Sequence, residues 1–237
     1  MSNKLNLEEV KQKLFEKLEP SGWGRVLKSF IFSGDFDNII LQLAQLASDG
    51  KRFTPPLKDI FRAFEECPYD ELKVVIVGQD PYPRLDVADG IAFSCSKTKE
   101  LQPSLSYILD EINRTVYHGH PGSLDVDLKR WSNQGILMLN TALTTTINKV
   151  GQHYDIWKPF IAYLLDYLNC TNTGLVYIYM GKQAQSWSDS TYDINYKFFV
   201  SHPASAAYNK QSRWDSSNLF VEVKKIVEKQ YGYSITW

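Results

Sequence analysis

VVIVGQDPYPR, Val74 to Arg84, is the stretch on which the reading of the whole chain turns. Four branched apolar residues make a short run of the kind that fills a buried strand. The run ends in glycine, an amide and an acid, and then in two prolines around a tyrosine. Pro81 disfavours helical geometry at Asp80, and Pro83 does the same at Tyr82. The chain therefore leaves a strand and stiffens where a carboxylate and an aromatic ring project. Taken alone, the segment is equally an ordinary strand-to-helix turn, in which Asp and Pro are both common.

Outward from this point, similar runs recur at GILMLN (135–140), GLVYIYM (174–180) and YKFFVS (196–201), each expected to be a buried strand. Helical periodicity lies between them. SLSYILDEINRTV (104–116) has apolar residues at 105, 108, 109 and 112, WKPFIAYLLDYL (157–168) repeats the pattern, and DSSNLFVEVKKIVEKQ (215–230) reads as a closing helix. Strands alternating with helices specify an α/β fold, a parallel sheet covered on both faces, with the helices before residue 70 packed around it. No linker or repeat divides the chain. One domain over residues 1–237 is expected, residues 1–20 forming an N-terminal helix.

In such sheets ligands bind beyond the carboxyl ends of the strands. The residues at those ends are Gln79, Asp80 and Tyr82 after the first run, Asn140 after the second, MGKQAQ after the third, and His202 in SHPASAAY after the fourth. An acid, a tyrosine, an amide and a histidine thus converge on one edge. Each has a plainer alternative: Asn140 as a capped strand end, His202 as a structural histidine, Phe93 as core and Ser104 as a helix N-cap. Each also has a chemical one. A carboxamide donates and accepts side by side and can read a base edge. A neutral imidazole can donate to an oxygen gaining charge. A phenylalanine face can stack on a flat ligand, and a hydroxyl at a helix N-terminus suits a phosphate.

Composition narrows the setting. The 237 residues are 43% hydrophobic and 22% charged with a net charge of −1, which fits a globular protein and argues against one that coats nucleic acid. Residues 197–237 hold six basic residues (Lys197, Lys210, Arg213, Lys224, Lys225, Lys229) against three acids, a local +3 compatible with either a phosphate-facing patch or a solvated face. Cys67, Cys95 and Cys170 lie far apart and suggest neither a disulfide framework nor a metal site, so a reducing compartment is expected. The charged, amphipathic N-terminus has no signal-peptide core, and no run of 18 apolar residues is present to span a membrane.

The ordered set GQDPY, DGIAFSC, LQPSLSYIL, RWSNQGILMLNTALTT, IWKPF, YIYMGKQAQ and SHPAS resembles the uracil-DNA glycosylase family, whose members carry a GQDPYH loop. The likeness extends upstream through PPLKDIFRAFEECPYDELKVV to SGWGRVLKSF, so it covers the chain from about Ser21 onward. The resemblance implies a three-layer α/β/α sandwich around a four-stranded parallel sheet, and excision of uracil from single- or double-stranded DNA without metal or cofactor. It implies Asp80 and His202 as the catalytic pair, with Gln79, Tyr82, Phe93 and Asn140 around the uracil. Pro103, Ser104, Ser205, Ala206, Tyr208 and Arg213 would face the DNA. A monomer is expected, in the cytoplasm or, for a viral protein, in the nucleus or elsewhere in a host cell, with a proteinaceous inhibitor of such glycosylases as a candidate partner.

Two positions depart from the family. Pro83 stands where most members have histidine, which leaves Asp80 more alone and is expected to lower the rate without abolishing activity. After HP the family usually reads SPLS, with a leucine wedge that fills the gap left by a flipped base. Here Ala204, Ser205, Ala206 and Ala207 follow, the wedge is truncated to Ala206, and Tyr208, Arg213 or Trp214 is expected to supply the filler. Both departures are similar to viral members, including the poxvirus enzyme, some of which serve as replication processivity subunits. A DNA-binding replication subunit with secondary glycosylase activity is therefore the alternative. A nucleotide-binding α/β enzyme of another class is disfavoured, because no glycine fingerprint or phosphate loop follows the first strand.

Overall fold

The computed structural model describes residues 6–120 and 125–237. The first five residues of the expected N-terminal helix lie outside them. The chain runs α1 (Leu7–Leu18), α2 (Trp23–Ile31), α3 (Gly34–Ser48), β1 (Phe53–Thr54), α4 (Arg62–Glu66), β2 (Val74–Gly78), α5 (Pro103–Thr115), α6 (Lys129–Ser132), β3 (Ile136–Asn140), β4 (Thr145–Thr146), α7 (Tyr154–Thr171), β5 (Val176–Met180), α8 (Lys182–Gln185), β6 (Tyr196–Val200), α9 (Ala204–Tyr208) and α10 (Leu219–Tyr231). All four expected strands form.

They make one sheet in the order β3-β2-β5-β6, with every neighbour parallel. β2 and β5 occupy the centre and are buried throughout. Their near-continuous apolar sequence is what a strand covered on both faces requires. The connection from β2 to β3 moves one way across the sheet, and that from β3 to β5 moves the other. Right-handed crossovers therefore set α5 and α7 on opposite faces, which gives the α/β/α layering. α2 and α3 pack with α7, while α9 and α10 pack with α5. A continuous buried cluster runs from Leu18 through the sheet to Trp237.

β6 corrects one expectation. It is the edge strand, not a buried one, and Phe199 is 53% exposed. Its aromatic residues still pack along the sheet: Phe199 stacks on Tyr179 (5.6 Å between centroids, 14° between planes), and Tyr179 stacks on Tyr177. A second, antiparallel ribbon, β1 with β4, pairs Phe53 with Thr146 and Thr54 with Thr145.

Parallel register brings the carboxyl ends together. Gly78 pairs with Asn140, Val77 with Tyr179 and Met180 with Val200. Direction reverses at β2, so this edge is the topological switch point where a crevice forms in open α/β sheets.

Candidate active site at the strand ends

Asp80 follows β2 by two residues and is half-buried. Its Oδ2 accepts the backbone N–H of Gly151 at 2.6 Å, a partner 71 residues away. Burial raises the carboxyl above the ordinary aspartate range, while the Gly151 N–H and the Thr145 side chain oppose the rise. The loop that carries Asp80 is tied down on both sides. Asn148 N donates to Pro83 O (2.9 Å), and Thr141 Oγ1 and Ala142 N donate to Gln79 O (2.7 and 3.2 Å). The Gln79 carbonyl is thus engaged by the fold.

Gly78 explains how the next two groups come close. A Cβ there would lie 2.7 Å from Asn140 Oδ1 and 3.2 Å from the Phe93 ring, so only glycine lets both close over the strand end. Phe93 has φ of 64°, a left-handed backbone that an aromatic residue rarely adopts. Its loop is held by Asp89, which is buried and accepts from Ile91 N (3.2 Å), Ser94 Oγ (2.7 Å), Ser96 N (2.9 Å) and Ser96 Oγ (2.6 Å). Asp89 also pairs with Arg62 Nη1 at 2.9 Å. Tyr82 Oη donates to the Phe93 carbonyl at 3.0 Å, so the Tyr82 ring is tethered to the Phe93 backbone. Tyr82, Phe93 and Asn140 line a narrow cavity with Pro81, Met138 and Leu143.

His202 follows β6 by two residues, with its ring centroid 5.7 Å from that of Phe93. Gly181, with φ of +89°, makes room for it, since a Cβ would lie 2.8 Å from His202 Cβ. The Ala204 backbone N–H donates to His202 Nδ1 at 3.2 Å. Nδ1 is therefore an acceptor, and the proton of the neutral ring sits on Nε2. Burial pushes the imidazole down to about 4, so it is uncharged at neutral pH.

The expected DNA-facing residues come from two adjacent segments. Pro103 and Ser104 open α5, Ser205, Ala206 and Tyr208 lie on α9, and Arg213 is on the loop beyond. Tyr107 Oη bonds to Gln211 O at 3.2 Å and ties the segments together. Three expectations need correction. Ser104 is not the N-cap: Gln102 holds that position, Pro103 is the first helical residue, and Ser104 is buried in the first turn. Ala206 is 0% exposed and belongs to the core, so it is not a wedge truncated to a stub at the surface. Trp214 is buried, its indole N–H given to Ser201, so it is no free filler. Tyr208, by contrast, is 86% exposed.

Sequence reasoning missed the residues that hold the site together. Gly151 and Thr145 reach Asp80 from the β3–α7 connection. Asp89 was read only as part of DGIAFSC. His153 is buried and bonded at both ring nitrogens, Nδ1 to Thr144 Oγ1 (2.8 Å) and Nε2 to Thr146 Oγ1 (3.1 Å). Trp157 Nε1 also donates to Thr144 Oγ1 (2.8 Å), so one hydroxyl serves both rings. Among the described residues no group of three or more His, Cys, Asp or Glu is placed to hold a metal.

These features define an α/β/α protein with a candidate ligand site at the carboxyl edge of its sheet, where a half-buried carboxylate and an uncharged imidazole follow two of the strands. A family model described as the Uracil DNA glycosylase superfamily matches residues 64–227. A uracil-DNA glycosylase of Wolinella succinogenes is 32% identical over 223 residues, 93% of this chain and 94% of its own length. That of Acinetobacter baumannii (strain SDF) is 36% identical over 183 residues, 76% of each chain. The crystal structure of mimivirus uracil-DNA glycosylase superposes with a TM-score of 0.83 over 99% of this chain and 90% of that one, at 23% identity, a likeness of fold. The chain belongs to the uracil-DNA glycosylase superfamily.

Proposed function

We propose that this chain excises uracil from DNA with Asp80 and His202 as its catalytic pair. A base within a duplex is out of reach, so the nucleotide is flipped into the slot between Tyr82, Phe93 and Asn140. As the N-glycosidic bond lengthens, positive charge grows on the sugar and negative charge on the base. The Asp80 carboxylate faces the sugar, stabilises the cation and orients the attacking water. His202 donates its Nε2 proton in a hydrogen bond to uracil O2 as the base becomes an anion. The observation that carries this role is the Ala204 N–H on Nδ1, which leaves Nε2 as the donor. An abasic site and free uracil are the products.

Selectivity follows from the slot. Asn140 accepts from uracil N3–H and donates to O4, whereas cytosine presents the reverse pattern. Mispaired buried polar groups can reject the wrong base by about 10⁴–10⁵. Tyr82 stands where thymine carries its methyl group. A hydrophobic preference for one methyl is worth only ~1–3 kcal/mol, so a rigid obstruction is needed, and the tether from Tyr82 to Phe93 supplies the rigidity. Phe93 stacks on the base, and the Gln79 main chain completes the pocket. Pro103, Ser104, Ser205 and Arg213 face the phosphates, and Tyr208 takes the place in the duplex that Ala206, being core, leaves empty.

The chain acts as a monomer and as a single domain, the latter supported by the continuous core. Three free thiols suit a reducing compartment such as the cytoplasm. No helix among the described residues is long and apolar enough to cross a membrane. An inhibitor protein is a candidate partner, since a mimivirus variant of this fold was solved in complex with UGI. The names of the relatives are those of glycosylases and do not favour a replication subunit with secondary activity.

The test is one oligonucleotide assay. Strands containing uracil, thymine or cytosine are incubated with the protein, treated with alkali and examined for cleavage at the abasic site. Cleavage of the uracil strand alone is expected, with Asp80→Asn and His202→Ala each reduced by at least about 10²-fold. Wild-type rates in both variants would remove Asp80 and His202 from the chemistry.

A further inference from the structure

Tyr154 opens α7, and its place is set by the buried, doubly bonded His153 just before it. Its ring lies against Gly151: a Cβ on that glycine, where φ is +71°, would meet the ring at 3.1 Å. The same Gly151 donates its N–H to Asp80 Oδ2. Gly151 thus joins the phenol to the carboxylate. The Tyr154 hydroxyl is buried and makes no hydrogen bond of ordinary geometry, although the Gln79 side chain is close enough to act on it. Buried hydroxyls are rarely left so, and each exception asks for a reason such as a water or a catalytic duty. Its polar neighbours are the Asp80 carboxylate and the Gln79 side chain. Tyr154 also lines an open polar cavity of about 330 Å³ with Thr141, Lys158 and Gln183.

We propose that the Tyr154 hydroxyl is a further catalytic group of this enzyme, one that holds the attacking water against Asp80. The inference rests on the excision chemistry above. The water accepts the Tyr154 O–H with one lone pair, donates a proton toward the Asp80 oxygen not held by Gly151, and turns its second lone pair to the sugar C1′. As the C1′–N1 bond breaks, its electron pair leaves on the uracil. A new O–C1′ bond forms from the water, whose proton passes to Asp80 and on to solvent. Tyr154 keeps its own proton throughout. Burial and the Asp80 charge push the phenol up to about 12, so it positions the water and does not deprotonate it.

The experiment compares wild type, Tyr154→Phe, Asp80→Asn and the double variant on a single-stranded uracil oligonucleotide, with thermal melting of each. Tyr154→Phe keeps the ring and is expected to melt with the wild type. Its kcat should fall about tenfold, the scale of one hydrogen bond made in the transition state, with KM within about twofold. With Asp80 replaced the water is no longer held on its other side, so Tyr154→Phe should then change the residual rate by less than about twofold. An unchanged kcat, a loss confined to KM, or the full tenfold loss repeated in the Asp80→Asn background would each overturn the role of Tyr154 while leaving uracil excision intact. A wild type inert on uracil would overturn excision itself, and this inference with it.

Discussion

At Asp80, burial and hydrogen bonding pull against each other, and burial is the larger effect. A carboxyl whose folded pKa is raised contributes stability below its unfolded value, and that contribution is lost as the pH rises through the folded one. The ionised Asp80 needed for catalysis is therefore a cost to the fold at neutral pH. Asp80→Asn, which retains an oxygen for Gly151, should melt at or above the wild-type temperature while losing activity, as calorimetry beside the cleavage assay will report. His202 has the opposite sign. Its folded pKa of about 4 lies below the ordinary 6.5, so its contribution is complete above 6.5 and is lost as the pH falls toward 4. The pH profile of kcat/KM should accordingly show no inflection near 6.5 and an acid limb above the ordinary aspartate range. An inflection at 6.5 that vanishes in His202→Ala would contradict the uncharged imidazole.

Among the elements, the loop from Asp89 to Ser96 does most to shape the slot. One buried carboxylate gathers four donors from it and the Arg62 guanidinium, and thereby holds Phe93 in its left-handed conformation. Asp89→Ala leaves Arg62 with Asp127 and Glu66 but strips the loop's donors of their buried acceptor, which typically costs about 1–3 kcal/mol. A lower denaturant midpoint, together with a KM for uracil DNA raised more than kcat is lowered, is the expected result. Helix α9 carries the second element-scale prediction. It buries Ala206 and presents Tyr208 to solvent. Tyr208→Ala should slow excision from duplex DNA more than from single strands, because only the duplex has a gap to fill. Equal losses on the two substrates would place the filler elsewhere.

For the molecule as a whole, the net charge of −1 leaves little long-range attraction for DNA, so binding depends on local cations. Part of the basic excess near the C-terminus is already used: Lys197 pairs with Asp193 and Lys225 with Glu222. Arg213, exposed beside α9, is the cation expected to meet a phosphate. Arg213→Gln should weaken DNA binding similarly across sequences and reduce the salt slope by about 1. An unchanged slope in a titration with salt would take Arg213 off the DNA face.

The division between what was legible in the sequence and what was not follows the range of the interactions. Runs such as VVIVG and GLVYIYM record which residues avoid water, a local property, and they located all four strands and the polar residues at their ends. Parallel order then collected Asp80, Asn140 and His202 on one edge. That YKFFVS lies at the edge of the sheet depends on what packs beside it, which no periodicity within the strand encodes. The same holds for Ala206 in the core and Tyr208 in solvent, two residues apart on one short helix. The Gly151 amide on Asp80 and the β1–β4 ribbon join segments far apart in the chain, and a hydrogen bond across that distance leaves no mark in either segment. Sequence alone therefore determined the strands and the chemistry at their tips, because both follow from local composition, whereas tertiary structure decided what holds that chemistry in place, because those contacts exist only once the chain has closed on itself.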